Sequence, residues 1–291
     1  MEHAARNKPK RLLFLWSVVF ALFISLVQTG HAGAEEPLEL EIASPNLVLE
    51  AGSAAAKLEI ETNAASVDWE IYDYGNAMVE SGTEAVVGGL AEVDVSQLDP
   101  GYYTVSISAA LGEEQLVRTT SFAVLTALPA GSRDLRFGVQ MHLHRDYVEE
   151  ARIYDAALTG FGSFRNGVLW ESVEKSWGYA FPPLQESKIR LASSLGMKPL
   201  LTIAYRSIHH DNNLTPSTPE GQAAFGTYAS KVLEYYGDVT NEIEVYNEFN
   251  HTFNDGLCGR TADCYLPLLI ATHDKVKQDH PNAVVVGPVT A

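Results

Sequence analysis

The chain has 291 residues, 46% of them hydrophobic and 20% charged, which is enough for two domains with cores of their own. Its formal net charge is −17 at pH 7, and an acidic surface repels phosphate backbones. That argues against nucleic acid as a partner and is compatible with neutral or cationic ligands without selecting them. No Gly-rich phosphate loop follows any expected strand, and no cofactor motif is legible.

The N-terminus reads as a targeting segment. Arg6, Lys8, Lys10 and Arg11 precede sixteen uncharged residues, Leu12 to Val27, and small residues Ala32 and Ala34 occupy the −3 and −1 positions before Glu35. This order matches a secretory signal peptide, residues 1–34, cleaved after Ala34. An uncleaved anchor helix is the alternative, but sixteen residues fall short of the ~20 that span a bilayer. With no Cys at the cut, a lipoprotein anchor is not expected. The mature protein is therefore expected to be secreted, cell-surface or periplasmic, with no membrane partner after cleavage.

Residues 35–125 read as all-β. Leu38, Leu40 and Ile42 alternate with glutamates. Leu58 and Ile60, then Val67, Trp69 and Ile71, then Val93 and Val95, then Tyr103, Val105 and Ile107 repeat the period of two. That period and spacing predict a sandwich of half-buried strands. The run Leu98-Asp99-Pro100-Gly101-Tyr102-Tyr103 resembles the turn and tyrosine entry of immunoglobulin-like modules. A sugar-binding module and a spacer or docking module both fit.

Residues 126–133, with Pro129 and Gly131, read as a linker, and 134–291 as alternating strands and helices. Strands are expected over Phe137–Leu143, Phe161–Leu169, Lys198–Tyr205, Ile243–Tyr246 and Ala283–Val289. Helices are expected over Tyr147–Leu158, Pro182–Leu195, Pro219–Tyr236 and Tyr265–Gln278. Repeated βα units make a parallel sheet, either a barrel or a doubly wound fold. Polar groups gather at the strand ends, as a barrel with its site on that face requires. Strand one ends in His142-Leu143-His144, strand two carries Arg165 with Trp170 beyond, strand three ends in Tyr205-Arg206, and strand four in Asn247-Glu248. A carboxylic acid there can protonate a leaving oxygen, an Arg can orient a carboxylate, and Tyr and Trp offer flat apolar faces with polar edges. Each also has a structural reading: a bonded wall histidine, an internal ion pair, an ordinary core tryptophan. Cys258 and Cys264, six positions apart just beyond strand four, are expected to form one disulfide after export, with two free thiols as the alternative. Two cysteines alone make a poor metal site.

Phe164-Arg165 through Trp170, Val173-Glu174, Gly178-Tyr179, Gly196-Met197-Lys198-Pro199-Leu200 and Glu244-Val245-Tyr246-Asn247-Glu248 together resemble the retaining (β/α)8 glycoside hydrolases of clan A. The resemblance covers about 134–291. It is nearest the xylosidase and iduronidase group and secreted endoglycosidases of bacterial exopolysaccharide. It implies a TIM barrel, a polysaccharide or oligosaccharide substrate, Glu248 as general acid/base, Asn247 on the sugar 2-hydroxyl, and Arg165 near the nucleophile. His142, Trp170 and Tyr205 are the expected substrate-binding residues. Two mild departures are Tyr246, where these enzymes often have Trp, and Phe249, where many have Pro. The family's nucleophile is a Glu at the end of strand seven. The chain stops after strand five, and 158 residues from Asp134 compare with the ~250 of a whole barrel. An inactive, aggregation-prone fragment is therefore expected.

Two other classes stand beside this one. A non-catalytic carbohydrate-binding protein would keep the groove without the chemistry. A metal-dependent amidohydrolase would use His142-x-His144. It would also need a bridging Lys on strand four and a His on strand five, where this chain has Asn247-Glu248 and Gly287-Pro288.

Overall fold

Alternating apolar and polar residues build most of the first eight strands of the computed structural model, which describes residues 36–44, 47–129, 131–146, 148–287 and 289–291. The segment read as a signal peptide lies outside them. Strands β1 (Leu40–Ile42), β3 (Lys57–Thr62) and β6 (Leu90–Asp94) form one antiparallel sheet in the order β1-β3-β6. Strands β2 (Val48–Glu50), β4 (Ser66–Asp73), β5 (Met78–Ala85), β7 (Gly101–Leu111) and β8 (Glu114–Leu125) form a second, in the order β2-β8-β7-β4-β5. One apolar cluster draws on both sheets: Leu58, Ile60 and Val93 from the first meet Val67, Ile71, Val105, Ile107 and Phe122 from the second. Their period-two spacing is what turns all of them to one face. The Tyr103 hydroxyl donates to the Asp99 carbonyl at 2.7 Å, tying the Asp99-Pro100-Gly101 turn to the strand it feeds.

Beyond this region strands alternate with helices. They run β9 (Gly138–Gln140), α1 (Glu150–Leu158), β10 (Ser163–Leu169), α2 (Trp170–Val173), the hairpin β11 (Glu174–Lys175) and β12 (Gly178–Tyr179), then α3 (Pro183–Ser194) and β13 (Lys198–Ala204). Next come α4 (Pro219–Tyr236), β14 (Glu242–Val245), α5 (Ala262–Asp279) and β15 (Val284–Val286). Local signals set the helix ends. The Thr218 side chain caps α4 by accepting from the Gly221 amide at 3.0 Å, Pro219 sits in its first turn, and Gly196 follows α3 with φ of 88°.

The strands form one sheet, β15-β14-β13-β10-β9, and every pairing in it is parallel. Spatial order follows chain order without reversal. A doubly wound sheet would reverse, so the arrangement is that of an arc of a (β/α) barrel. Phe164, Val168, Leu201, Ile203, Ile243 and Val245 pack with Ile153, Ile189, Phe225, Val232 and Leu268 of the helices in one core. The alternate strand positions, Gln140, Arg165, Thr202 and Glu244, carry polar side chains that bond one another on the opposite face.

Several strands are shorter than their sequences suggest. The expected first strand, Phe137–Leu143, pairs only over Gly138–Gln140, and past it the Leu143 amide turns to the Asn166 side chain at 2.8 Å. The expected fifth, Ala283–Val289, is reduced to Val284–Val286 plus a single bridge between Val289 and Asn247.

Candidate active site

The ends of β13 and β14 are built on unusual backbone. Tyr205, Tyr246 and Glu248 have φ of 87°, 71° and 49°, in the left-handed region that side chains other than glycine visit at a cost. Bonds hold the chain there. The Tyr246 amide donates to Ile203 O at 2.8 Å, the Glu248 amide donates to Val289 O at 3.0 Å, and the Glu248 carbonyl accepts from the His251 amide at 2.9 Å. These turns swing Asn247 and Glu248 off the strand end, both half-buried. The Glu248 carboxylate makes no hydrogen bond to another described residue.

Beneath them lies a connected polar group. Arg165 on β10 donates Nε to Glu244 Oε2 at 2.5 Å, one terminal nitrogen to Gln140 Oε1 at 2.6 Å, and the other to Asn247 Oδ1 at 2.9 Å. Glu244 is 1% exposed and accepts a further bond from Thr202 Oγ1 at 2.9 Å, while its Oε1 has no hydrogen-bond partner among the described residues. Asn247 Nδ2 donates to the Tyr205 hydroxyl at 3.2 Å. Burial pushes the Tyr205 hydroxyl above the usual phenol range. The Asn247 hydrogen bond opposes that shift, and the charge on Glu248 adds to it.

Arg165, Tyr205, Asn247 and Glu248, drawn from three strands, are thus brought together. The Arg165 guanidinium is engaged by three partners of its own chain. Sequence reasoning did not nominate Glu244, Gln140 or Thr202. Glu244 stood in the run Glu244-Val245-Tyr246-Asn247-Glu248 without a role of its own. The signal that could have found it is its inward register opposite Thr202 on β13.

One expected binding residue, Trp170, lies in the core. Trp170 is a correction. It opens α2, is 0% exposed, and is stacked between His210 (5.0 Å between ring centroids) and Tyr228 (5.5 Å), so neither face is free for a ligand. Close by, Glu174 accepts from Ser207 and from the Tyr179 hydroxyl at 3.3 Å and lies 3.1 Å from His210 Nε2, bonding the β11–β12 hairpin to the loop after β13. His142 is exposed and its ring centroid lies 5.7 Å from that of His144. Burial, with the positive Arg145 and the ring of His142, holds His144 below the ordinary imidazole range.

The loop after Glu248 is firmly tied. Cys258 and Cys264 are joined by a disulfide that links it to the first turn of α5. The Tyr246 hydroxyl, 2.6 Å from Thr215 Oγ1, donates to Phe253 O at 3.0 Å. Asn254 Nδ2 donates to Phe249 O and Gly259 O, and Asp255 pairs with Arg206. Tyr246 is fully buried, so its hydroxyl supports the loop from below.

No helix among the described residues is long and apolar enough to cross a membrane. No protein-family profile and no curated protein matches the chain. Among solved structures it is similar to a family 39 glycoside hydrolase from the gut symbiont Bacteroides cellulosilyticus WH2, at 23% identity and a TM-score of 0.70 over 86% of this chain and 50% of that one. A Bacteroides ovatus GH5 xyloglucanase in complex with a XXXG heptasaccharide (14% identity, 87% and 66% covered, TM-score 0.39) and a Parabacteroides merdae β-glucuronidase (13%, 86% and 32%, TM-score 0.35) are too distant in shape to add to this. The chain thus spans half the length of the family 39 enzyme and shares its fold.

Proposed function

We propose that the protein is a secreted glycoside hydrolase that cleaves O-glycosidic bonds of a polysaccharide or oligosaccharide with retention, Glu248 serving as general acid/base. The observation that carries this reading is Glu248 beside Asn247 at the end of β14. Its carboxylate is unengaged by described residues, and it stands on an arc of barrel that shares its fold with a family 39 glycoside hydrolase. In the first step the protonated Glu248 gives its proton to the glycosidic oxygen as that oxygen leaves. In the second the carboxylate takes a proton from the incoming water. A retaining site also needs a second carboxylate about 5–5.5 Å away. The resemblance assigns it to a strand later than β15, and no described residue is given that role here. The same gap is what favours the second reading, a non-catalytic carbohydrate-binding protein. The two sheets over 40–125 are read as an immunoglobulin-like spacer or docking module, a reading supported by the Tyr103 to Asp99 bond.

The test is Glu248→Gln in the protein as its own cells secrete it. Turnover of unactivated glycan should fall by roughly 10²–10⁴, the range for losing one proton-transfer group. Aryl glycosides with good leaving groups should lose less in the first step, and azide should restore turnover by replacing the base-activated water. Near-normal hydrolysis of glycan by the variant would remove Glu248 from the mechanism. Glycan binding without hydrolysis by the unaltered protein would select the second reading.

A further inference from the structure

We propose that Glu244 is a positioning residue which, through Arg165, locks the Asn247 amide in one orientation, so that Asn247 and Tyr205 face the site beside Glu248 as hydrogen-bond donors. The inference follows from the chemistry of the partners. A guanidinium has five N–H donors and no acceptor. Asn247 lies 2.9 Å from one Arg165 nitrogen, so only its carbonyl oxygen can face that nitrogen; the flipped amide would set donor against donor. Arg165 is itself fixed by Glu244 at 2.5 Å and by Gln140 at 2.6 Å, and Glu244 is fixed by Thr202. The direction of each bond determines the next. With Oδ1 turned to Arg165, Nδ2 turns to Tyr205 and donates one hydrogen to its hydroxyl at 3.2 Å. The second Nδ2 hydrogen remains, and the Tyr205 hydroxyl, having accepted, keeps its own hydrogen to donate onward. The site therefore offers donors, and the ligand atom it fits is an oxygen that accepts: a sugar hydroxyl, ring or glycosidic oxygen. That the locked donors serve a sugar rests on the glycosidase reading, whereas the orientation of the amide does not.

The test separates these two layers. In the ¹⁵N-labelled full chain, the Asn247 side-chain amide is followed by NMR in the unaltered protein and in Glu244→Gln, which keeps the shape and removes the charge. The buried Asn166 amide on the same sheet, held by Leu143 and Gly167, reports on the fold. The expected result is that the Asn247 pair moves toward the positions of freely exchanging asparagine amides while the Asn166 pair stays. An unmoved Asn247 pair overturns the proposal, and so does movement of both, which would mark a general disturbance and not a directed link. In the secreted protein, Glu244→Gln should then lower turnover by up to about 100-fold with a smaller change in KM, the scale on which misplacing a site group by about 1 Å is felt. A moved amide with unchanged turnover would leave the lock standing and count against the glycosidase reading. An effect on turnover without movement of the amide would overturn the lock.

Discussion

His144 shows how one side chain couples this fold to pH. Its ring is partly buried beside Arg145 and His142, and its Nδ1 is buried without a hydrogen-bond partner among the described residues. Burial penalises the charged ring first, and the positive neighbours add to the penalty, so the folded-state value lies below that of the unfolded chain. As pH falls, the unfolded chain therefore takes up the proton before the folded one. The stability contributed by the neutral ring is complete above about pH 6.5 and is lost as pH drops through that value toward the folded-state one. Urea midpoints between pH 7.5 and 5.5 should thus fall more for the unaltered protein than for His144→Gln; equal falls in both would remove the ring from the pH response. Trp170 illustrates the limit of reading single residues from sequence. An aromatic just past a strand end looks like a platform for a ligand. Only the packing of α4, which brings Tyr228 beneath it, and the return of the loop after β13, which lays His210 over it, show that both faces are covered.

At the scale of elements, the disulfide acts on a short stretch. It closes six residues' separation between the loop after Glu248 and the capped start of α5. In the chain-entropy picture, replacing both cysteines with serine should cost up to about 2 kcal/mol. Because the closed segment is local, the loss should appear chiefly as faster amide exchange over residues 249–264. Unchanged exchange there would show that the loop's hydrogen bonds, from Tyr246, Asn254 and Asp255, hold it alone. The βα units were legible because each helix carries its own punctuation: Pro219 behind a threonine cap, Gly196 after α3, apolar spacing over Pro219–Tyr236 that matches α4 at both ends. The strands less so. β5, Met78–Ala85, is exposed along almost its whole length and shows no apolar face to read. It is a strand because its backbone pairs with β4, and the Trp69 ring takes up the space over Gly82, where an added Cβ would lie 2.7 Å from it. β8 carries its apolar residues irregularly, and the β11–β12 hairpin turns through Ser176 and Trp177 into Gly178, whose φ is 133°, which no period announces.

At the largest scale, the described residues form two apolar cores, and the parallel sheet carries its helices on a single face. Parallel sheets are normally covered on both faces. Here β15 pairs with β14 alone among the described residues, and its Val284 and Val286 are 45% and 36% exposed. An open strand edge with exposed valines is a template for pairing with another chain. One feature of the open face bears on how the sheet comes together at all. Arg165 on β10 reaches Gln140 on β9 and both Glu244 and Asn247 from β14. Side chains on neighbouring positions of a strand point to opposite faces, so a slip of one residue in β10 or β14 would turn Arg165 or Glu244 into the layer of Phe164, Ile243 and Val245, and a slip in β9 would take Gln140 from Arg165. Only one alignment lets all the bonds form together. The guanidinium thus works as a key for strand alignment, since its full set of bonds is available in the native register alone.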